Sequence, residues 1–247
     1  MVRRNRPARG RGRSSVRLIR ARVLSACLMS ACAAGLTGCG ATIDGAPVAV
    51  QRATIGERVD AQLVTLLPDP AQFPERYPAV VLPPDAAAQA AGDLDGVARG
   101  AQVDPADCAP PEQQYGPDHT AVAVGTSEEN RATLTVELVR TRIPLSSLAE
   151  QLRRCGEIRV TGVGPTTTVT TTPDAAPAVD ADDSLSLRRV VAPDVGGVGL
   201  TQRMRTHVAQ VGDVRVLVTY MIFGEGPQDD AALEELFATA VGKVAAA

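Results

Sequence analysis

The stretch that decides the fold is LTQRMRTHVAQVGDVRVLVTYMIF, residues 200–223. Two long runs that favour extended structure flank Gly212-Asp213, a dipeptide that favours a tight two-residue turn. The second run, 214–223, is almost continuously apolar, as is typical of a strand that is covered on both faces. The stretch therefore predicts an antiparallel hairpin whose second strand lies in the middle of a sheet.

Further strands and helices are expected on both sides of this hairpin. Alternation of polar and apolar residues, or strong β-propensity, predicts strands at 79–82, 119–125, 131–140, 158–163, 166–172 and 184–191. Apolar residues at helical spacing predict helices near 58–67, from Pro84 into the 90s, at 145–154 and at 231–244. The threonine-rich run 166–172 is polar at nearly all positions and suits an edge or exposed strand.

Strands with a helix inserted among them and a helix at the end are typical of an α+β domain. We expect an antiparallel sheet of about five to seven strands, with helices packed mainly on one face and one disulfide. Residues 100–117, a segment that carries Cys108, are expected to form a loop.

The N-terminal segment has the organisation of a bacterial export signal. Residues 1–38 contain nine arginines and no acidic residue, and an apolar run at 23–36 is too short to span a bilayer as a helix. Leu36-Thr37-Gly38-Cys39 has the pattern of a lipobox. We therefore predict a lipoprotein signal peptide at 1–38, lipid on Cys39 as the partner of the membrane, a tether at 39–57 and one domain at 58–247.

The expected location is the outer face of the cell membrane, on the periplasmic or cell-wall side. Two acyl chains on a diacylglyceryl-Cys39 would hold the protein there stably. An ordinary secretory peptide that is cut elsewhere, or an uncleaved anchor, is the alternative.

The charge of the mature chain argues against nucleic acid as a partner. Without the nine arginines of residues 1–38, 16 basic and 28 acidic residues remain, a net charge of −12. The whole chain has no Trp, three Tyr and three Phe, so base stacking has little to work with. The core must be built mainly from Val, Leu, Ala and Ile.

The predicted signal peptide assigns a role to each of the five cysteines. Cys27 and Cys32 lie within it, and Cys39 is the lipidation site. Cys108 and Cys155 remain, a single pair in an oxidising compartment, and they are expected to form a disulfide. A metal or redox pair is the alternative, although the spacing is far from that of C-x-x-C.

The sequence contains no nucleophile elbow, phosphate-binding loop, dinucleotide fingerprint or zinc-protease motif. His119 and His207 are the two histidines, and each is expected to be a strand or surface residue. Asp180-Ala181-Asp182-Asp183 lacks the glycine and distal glutamate of a calcium loop. Arg188-Arg189 with Arg203 and Arg205 could bind an anion, although salt pairs between strands are the simpler expectation. No cofactor, metal or catalytic residue is predicted.

Several segments resemble a mycobacterial-type lipoprotein of the uncharacterised domain family numbered 5642. They are the lipobox at 36–39, the segment LLPDPAQFPERY at 66–77 and VDPADC at 103–108. The cysteine layout is also loosely similar to the extracellular sensor domain of mycobacterial receptor kinases. That second resemblance implies an α+β sheet with two disulfides, whereas this chain offers one pair. Neither resemblance implies an activity.

The sequence therefore predicts a cell-envelope lipoprotein that is not an enzyme but a ligand-binding or sensor-like module. Its expected partner, besides the membrane, is an unidentified ligand or protein of the envelope. The alternative is a carrier of lipids or glycolipids, which would need a large apolar cavity between sheet and helices.

Overall fold

The computed structural model describes residues 56–111, 113–162, 164–196 and 198–247, with Val198 described by its backbone alone. The helices are α1 (Leu63–Leu66), α2 (Pro84–Leu94), α3 (Leu145–Arg154) and α4 (Asp230–Ala245). The strands are β1 (Ala79–Val81), β2 (Gln102–Asp104), β3 (Thr120–Thr126), β4 (Thr133–Arg140), β5 (Glu157–Thr161), β6 (Thr167–Asp174), β7 (Asp183–Pro193), β8 (Gln202–Val211) and β9 (Val214–Phe223). Short 3₁₀ helices cover Pro70–Gln72, Ala106–Cys108 and Val198–Leu200.

The nine strands of the described residues form one antiparallel sheet in the order β1-β3-β4-β9-β8-β7-β6-β5-β2. The predicted α+β class is confirmed, but the expected count of five to seven strands was wrong. The two edge strands, β1 and β2, have three residues each. β2 lies in the segment that was expected to be a loop, because three residues beside Pro105 are too few to show an alternating pattern.

The predicted hairpin, formed by β8 and β9, lies where the sequence indicates. β8 and β9 pair from Val211–Val214 at the turn to Gln202–Phe223 at the far end. β9 lies between β8 and β4, well inside the sheet. Gly212 has a φ of +55°, and a Cβ there would lie 2.3 Å from the Glu57 carbonyl oxygen, so glycine is required at this turn.

The threonine-rich strand β6 is not at an edge, contrary to expectation. It pairs with β5 on one side and β7 on the other. Val169 and Thr171 are buried, whereas Thr170 and Thr172 on the opposite face are exposed. Composition indicated a polar strand, but one of its two faces is covered by the rest of the fold.

The helices lie on both faces of the sheet, which corrects the expectation that they pack mainly on one. On the first face, α1 and α4 pack against the even-numbered residues of β4 and β9; we call this side the α4 layer. On the second face, α3 packs against Leu187, Val208 and Leu217, and α2 packs against Val122; we call this side the α3 layer. The same strands thus have covered side chains on both faces.

The described chain begins against the β8–β9 turn. The Val59 amide donates to Asp213 Oδ1 at 2.9 Å, and Arg140 Nη1 lies 2.8 Å from both carboxylate oxygens of Asp213. Arg140 also donates to the carbonyl oxygens of Val59 and Ala61. The N-terminal segment is thereby fastened to one end of the central strands, and the boundary at residue 57 between tether and domain stays a prediction.

Within the residues that the structure describes, no helix combines the length and the apolar character needed to cross a membrane.

Candidate functional site

The α3 layer contains a cavity of about 170 Å³ between α3, the sheet and the loop around Cys108. Its apolar walls come mainly from α3 and from the central and outer strands. The described lining residues that matter for its chemistry are Asp95, Cys108, Gln113, Glu137, Leu148, Leu152, Cys155, Ile158, Val169, Thr171, Arg189, Arg215 and Leu217. The cavity therefore combines an apolar body with a few ionisable groups, which is typical of small-molecule sites.

Glu137 is the buried acid of this cavity. It lies on the central strand β4 opposite Leu217, with 3% of its surface exposed. Its Oε1 accepts a hydrogen bond of 2.7 Å from Gln113 Nε2. The pKa of Glu137 is raised to about 8, chiefly by burial and also by the negative charge of Asp95, while the Gln113 hydrogen bond opposes the shift. Near neutral pH the side chain is therefore largely protonated.

Two arginines line the cavity, and both are held by the protein. Arg189 is buried on β7, where its Nε donates to Thr171 Oγ1 at 3.1 Å and its Nη1 to the Leu94 carbonyl at 2.6 Å. Its Nη1 also lies 3.7 Å from Asp95 Oδ1. Arg215 donates to Gln210 Oε1 and to the Ile143 carbonyl. These contacts orient the guanidinium groups and engage much of their donor capacity.

The predicted Cys108–Cys155 disulfide is present and forms part of the cavity wall. The two Cα atoms are 5.5 Å apart, and both side chains are buried with Ile158, Val169 and other residues of one apolar cluster. The bond ties the end of α3 to the loop that carries Gln113. It thus connects the walls of the cavity to each other as well as closing a long loop in sequence.

The two histidines lie away from the cavity. His119 is half-buried near Gln113, Gln114 and Tyr115, at the start of β3. His207 is buried in the α4 layer, with its ring centroid 5.3 Å from that of Phe237 and its Nδ1 3.0 Å from Ser186 Oγ. Burial chiefly, and then the positive charge of Arg205, lower the pKa of His207 to about 4.

The arginine group from the sequence analysis is split between the two faces. Arg188 and Arg205 lie 3.3 and 3.8 Å from Asp174, and Arg205 also lies 3.2 Å from Asp230. Arg203 donates to the Gly224 carbonyl. Salt pairs between strands thus account for Arg188 and Arg205, while Arg189 points into the cavity on the opposite face.

The acidic run at 180–183 is used for local structure. Asp182 Oδ2 accepts from the Gly212 amide at 2.8 Å, and Asp183 Oδ1 accepts from the Ser184 amide at 2.9 Å. Among the described residues there is no group of three or more His, Cys, Asp or Glu placed to hold a metal ion. The predicted lipidation site, Cys39, lies outside the described residues.

The sequence pattern around Glu137 does not mark it as a functional residue. In the strand predicted at 131–140, Thr133, Thr135 and Glu137 alternate with apolar residues and share a polar face, a pattern that usually marks a solvated face. The available signal was indirect: the neighbouring strand β9 reads as covered on both faces, and a strand beside it is then covered as well. A glutamate in such a strand is a buried acid.

The fold and the cavity define a single α+β domain with an open antiparallel sheet between two helical layers. Residues 70–244 match the family model described as "Domain of unknown function (DUF5642)". The chain therefore belongs to this family, as its residues 66–77 and 103–108 suggested. No match to a curated protein was found.

Two solved structures are similar to this chain. One is an uncharacterised protein from Mycobacterium smegmatis, the Rv0999 ortholog, with 20% sequence identity and a TM-score of 0.45 over 75% of this chain and 98% of that one. The other is the extracellular domain of PknH from Mycobacterium tuberculosis, with 12% identity and a TM-score of 0.44 over 78% of this chain and 100% of that one. The predicted distant similarity to a receptor-kinase extracellular domain is confirmed.

Proposed function

We propose that this protein is a lipid-anchored module of the cell envelope that binds a small ligand in the α3-layer cavity and is not an enzyme. The observation that carries the proposal is the cavity itself: an apolar space of about 170 Å³ with a buried acid on its wall. A buried polar group with unfilled hydrogen-bonding capacity is costly for a structural core. Such a group is useful where a ligand completes its contacts.

The lining supports binding better than catalysis. Its described part contains no imidazole and no free thiol, since Cys108 and Cys155 are joined. Glu137 has an amide as its hydrogen-bond partner, and a nucleophile paired with a base is the arrangement that covalent catalysis requires. We therefore assign the site to recognition.

The size of the cavity favours a small ligand over a lipid. Sites for drug-sized molecules usually enclose about 300–1,000 Å³. A carrier of long acyl chains would need a space at least in that range, whereas this cavity is close to the roughly 150 Å³ that holds one benzene molecule. The α4 layer, on the opposite face of the sheet, is filled by side chains that are almost fully buried.

Binding can be tested with three probes of benzene size that differ in charge: benzylamine, benzyl alcohol and benzoate. We would measure saturation-transfer NMR on the full lipoprotein in nanodiscs. Leu148→Trp fills the cavity from α3 and should abolish binding, whereas the exposed Ser146→Trp on the same helix should leave it unchanged. If none of the three probes binds at millimolar concentration, the proposed function is wrong.

Lipid anchoring rests on the pattern at 36–39 and has its own test. Cys39→Ala should move the protein from the membrane fraction to the soluble fraction, because the acyl chains that hold it are lost. Cys39→Ser, which also removes the thiol, is the companion variant. Unchanged membrane retention of both variants would refute the anchor.

A further inference from the structure

We infer that the cavity accepts a small organic cation, whose ammonium group pairs with the Glu137 carboxyl while its apolar body lies against the walls. The inference rests on the proposed function and narrows its ligand class.

The hydrogen bonds around the Glu137 carboxyl group are incomplete. One donor, Gln113 Nε2, reaches its carboxyl group, and no described cation lies within 4 Å of it. An ionised carboxylate can accept about four hydrogen bonds. Most of that capacity is unfilled on the wall of a cavity, which is where a ligand donor would arrive.

Each arginine of the lining already has a partner other than Glu137, which is an acid for two of them and a pair of neutral groups for the third. Arg140 pairs with Asp213 at 2.8 Å, and Arg189 lies 3.7 Å from Asp95. Arg215 is bound to Gln210 and to the Ile143 carbonyl. The part of the wall that α3 provides, Leu148, Gln151 and Leu152, carries no charge.

Of the two acids in the described lining, Glu137 is therefore the one without a counter-charge, because Asp95 lies beside Arg189. Removing one partner from a buried ion pair leaves a charge whose desolvation is uncompensated. The reverse also holds, so a cation that enters the cavity gains from a carboxylate that no protein group neutralises. The net charge of −12 outside residues 1–38 also favours the approach of cations.

The size and polarity of the cavity also suit a small organic cation. The volume of about 170 Å³ suits a body of roughly one benzene ring. Leu148, Leu152, Ile158, Val169 and Leu217 supply apolar contacts to such a body. A primary ammonium offers three donors, of which one or two would reach Glu137 and the others the Thr171 hydroxyl or backbone oxygens.

The inference predicts a characteristic dependence on pH. The charged groups that line the cavity together with Glu137 are Asp95, Arg140, Arg189 and Arg215. Because the pKa of Glu137 is about 8, it must lose a proton to pair with an ammonium group below that pH. Affinity for the cation should therefore rise about tenfold per pH unit between roughly pH 6 and pH 8.

The test is a titration of the full lipoprotein in nanodiscs with benzylamine, benzyl alcohol and benzoate across this pH range. We expect benzylamine to bind about tenfold or more tightly than benzyl alcohol near pH 8, and benzoate most weakly. Glu137→Gln keeps the side-chain volume and should remove the preference for the amine and its pH dependence, while benzyl alcohol still binds. Glu157→Gln, at an exposed position of β5, should change neither.

Three results separate the inference from the proposed function. If benzyl alcohol or benzoate binds as tightly as benzylamine in the wild type, the cation assignment is overturned and the binding site stands. A benzylamine affinity that does not change with pH overturns it as well, without any variant. If all three probes fail, the proposed function itself is contradicted.

Discussion

The two faces of the sheet are built from the same strands but differ in kind. In the α4 layer, side chains such as Leu134, Val136 and Leu236 are completely buried among apolar neighbours. In the α3 layer, the alternate residues of the same strands include Glu137, Arg189 and Gln210, and a cavity remains. One face supplies most of the well-packed core, and the other leaves space where polar groups meet an apolar wall. Under the proposed function, stability and ligand recognition belong to opposite sides of one sheet.

Phe237→Ala should have the largest effect, because it opens the packed face. Phe237 is completely buried on α4, and truncation of such a side chain costs about 3–5 kcal/mol. Leu148→Ala, half-buried beside an existing cavity, should cost less than about 2 kcal/mol. Urea denaturation of both variants measures the difference, and equal losses would show that the two faces are packed alike.

Removal of the disulfide should come next and should act on the cavity face. Replacing Cys108 and Cys155 together with serine avoids a free thiol and should lower the free energy of unfolding by about 2–4 kcal/mol. Hydrogen exchange should rise in the loop from Cys108 to Gln113 and at the end of α3, while the amides of α4 keep their protection. A uniform rise over both layers would mean that the bond supports the whole domain instead of one face.

The positions of the helices and strands could be predicted from the sequence better than the role of each face of the sheet. Gly212-Asp213 and the apolar run after it predicted the central hairpin, and the spacing of Leu145, Leu148 and Leu152 predicted α3 with the bounds that the structure has. The short strand β2 was not predicted, because three residues are too few to show a periodicity. The burial of Glu137 was not predicted, because a polar face has the same sequence pattern whether water or a second layer of protein covers it. That difference arises from contacts between segments far apart in the chain.

The packed face should make the protein sensitive to acid through His207. Its pKa is lowered to about 4 by burial, so between about pH 6.5 and pH 4 the unfolded chain binds a proton at this residue and the folded chain does not. As the pH falls through this window, the free energy of unfolding of the wild type should therefore decrease by about 1.4 kcal/mol per pH unit relative to His207→Gln. His119→Gln, at a half-buried position outside that core, is the control. Parallel stability curves for wild type and His207→Gln would contradict the prediction.

The cavity face should respond to pH with the opposite sign. The pKa of Glu137 is raised to about 8, so between about pH 4.5 and pH 8 the folded chain holds a proton that the unfolded chain has lost. This group makes the folded state less stable as pH rises, and Glu137→Gln should gain relative to wild type by about 1.4 kcal/mol per pH unit. Urea denaturation at several pH values measures the slope.

Between about pH 4.5 and pH 6.5, His207 and Glu137 change the free energy of unfolding with pH in opposite directions. The two effects therefore partly cancel in the wild type, and each variant shows the effect of the group that remains. If both variants change the slope of stability against pH in the same direction in that window, one of the two buried groups is not in the protonation state that its face imposes.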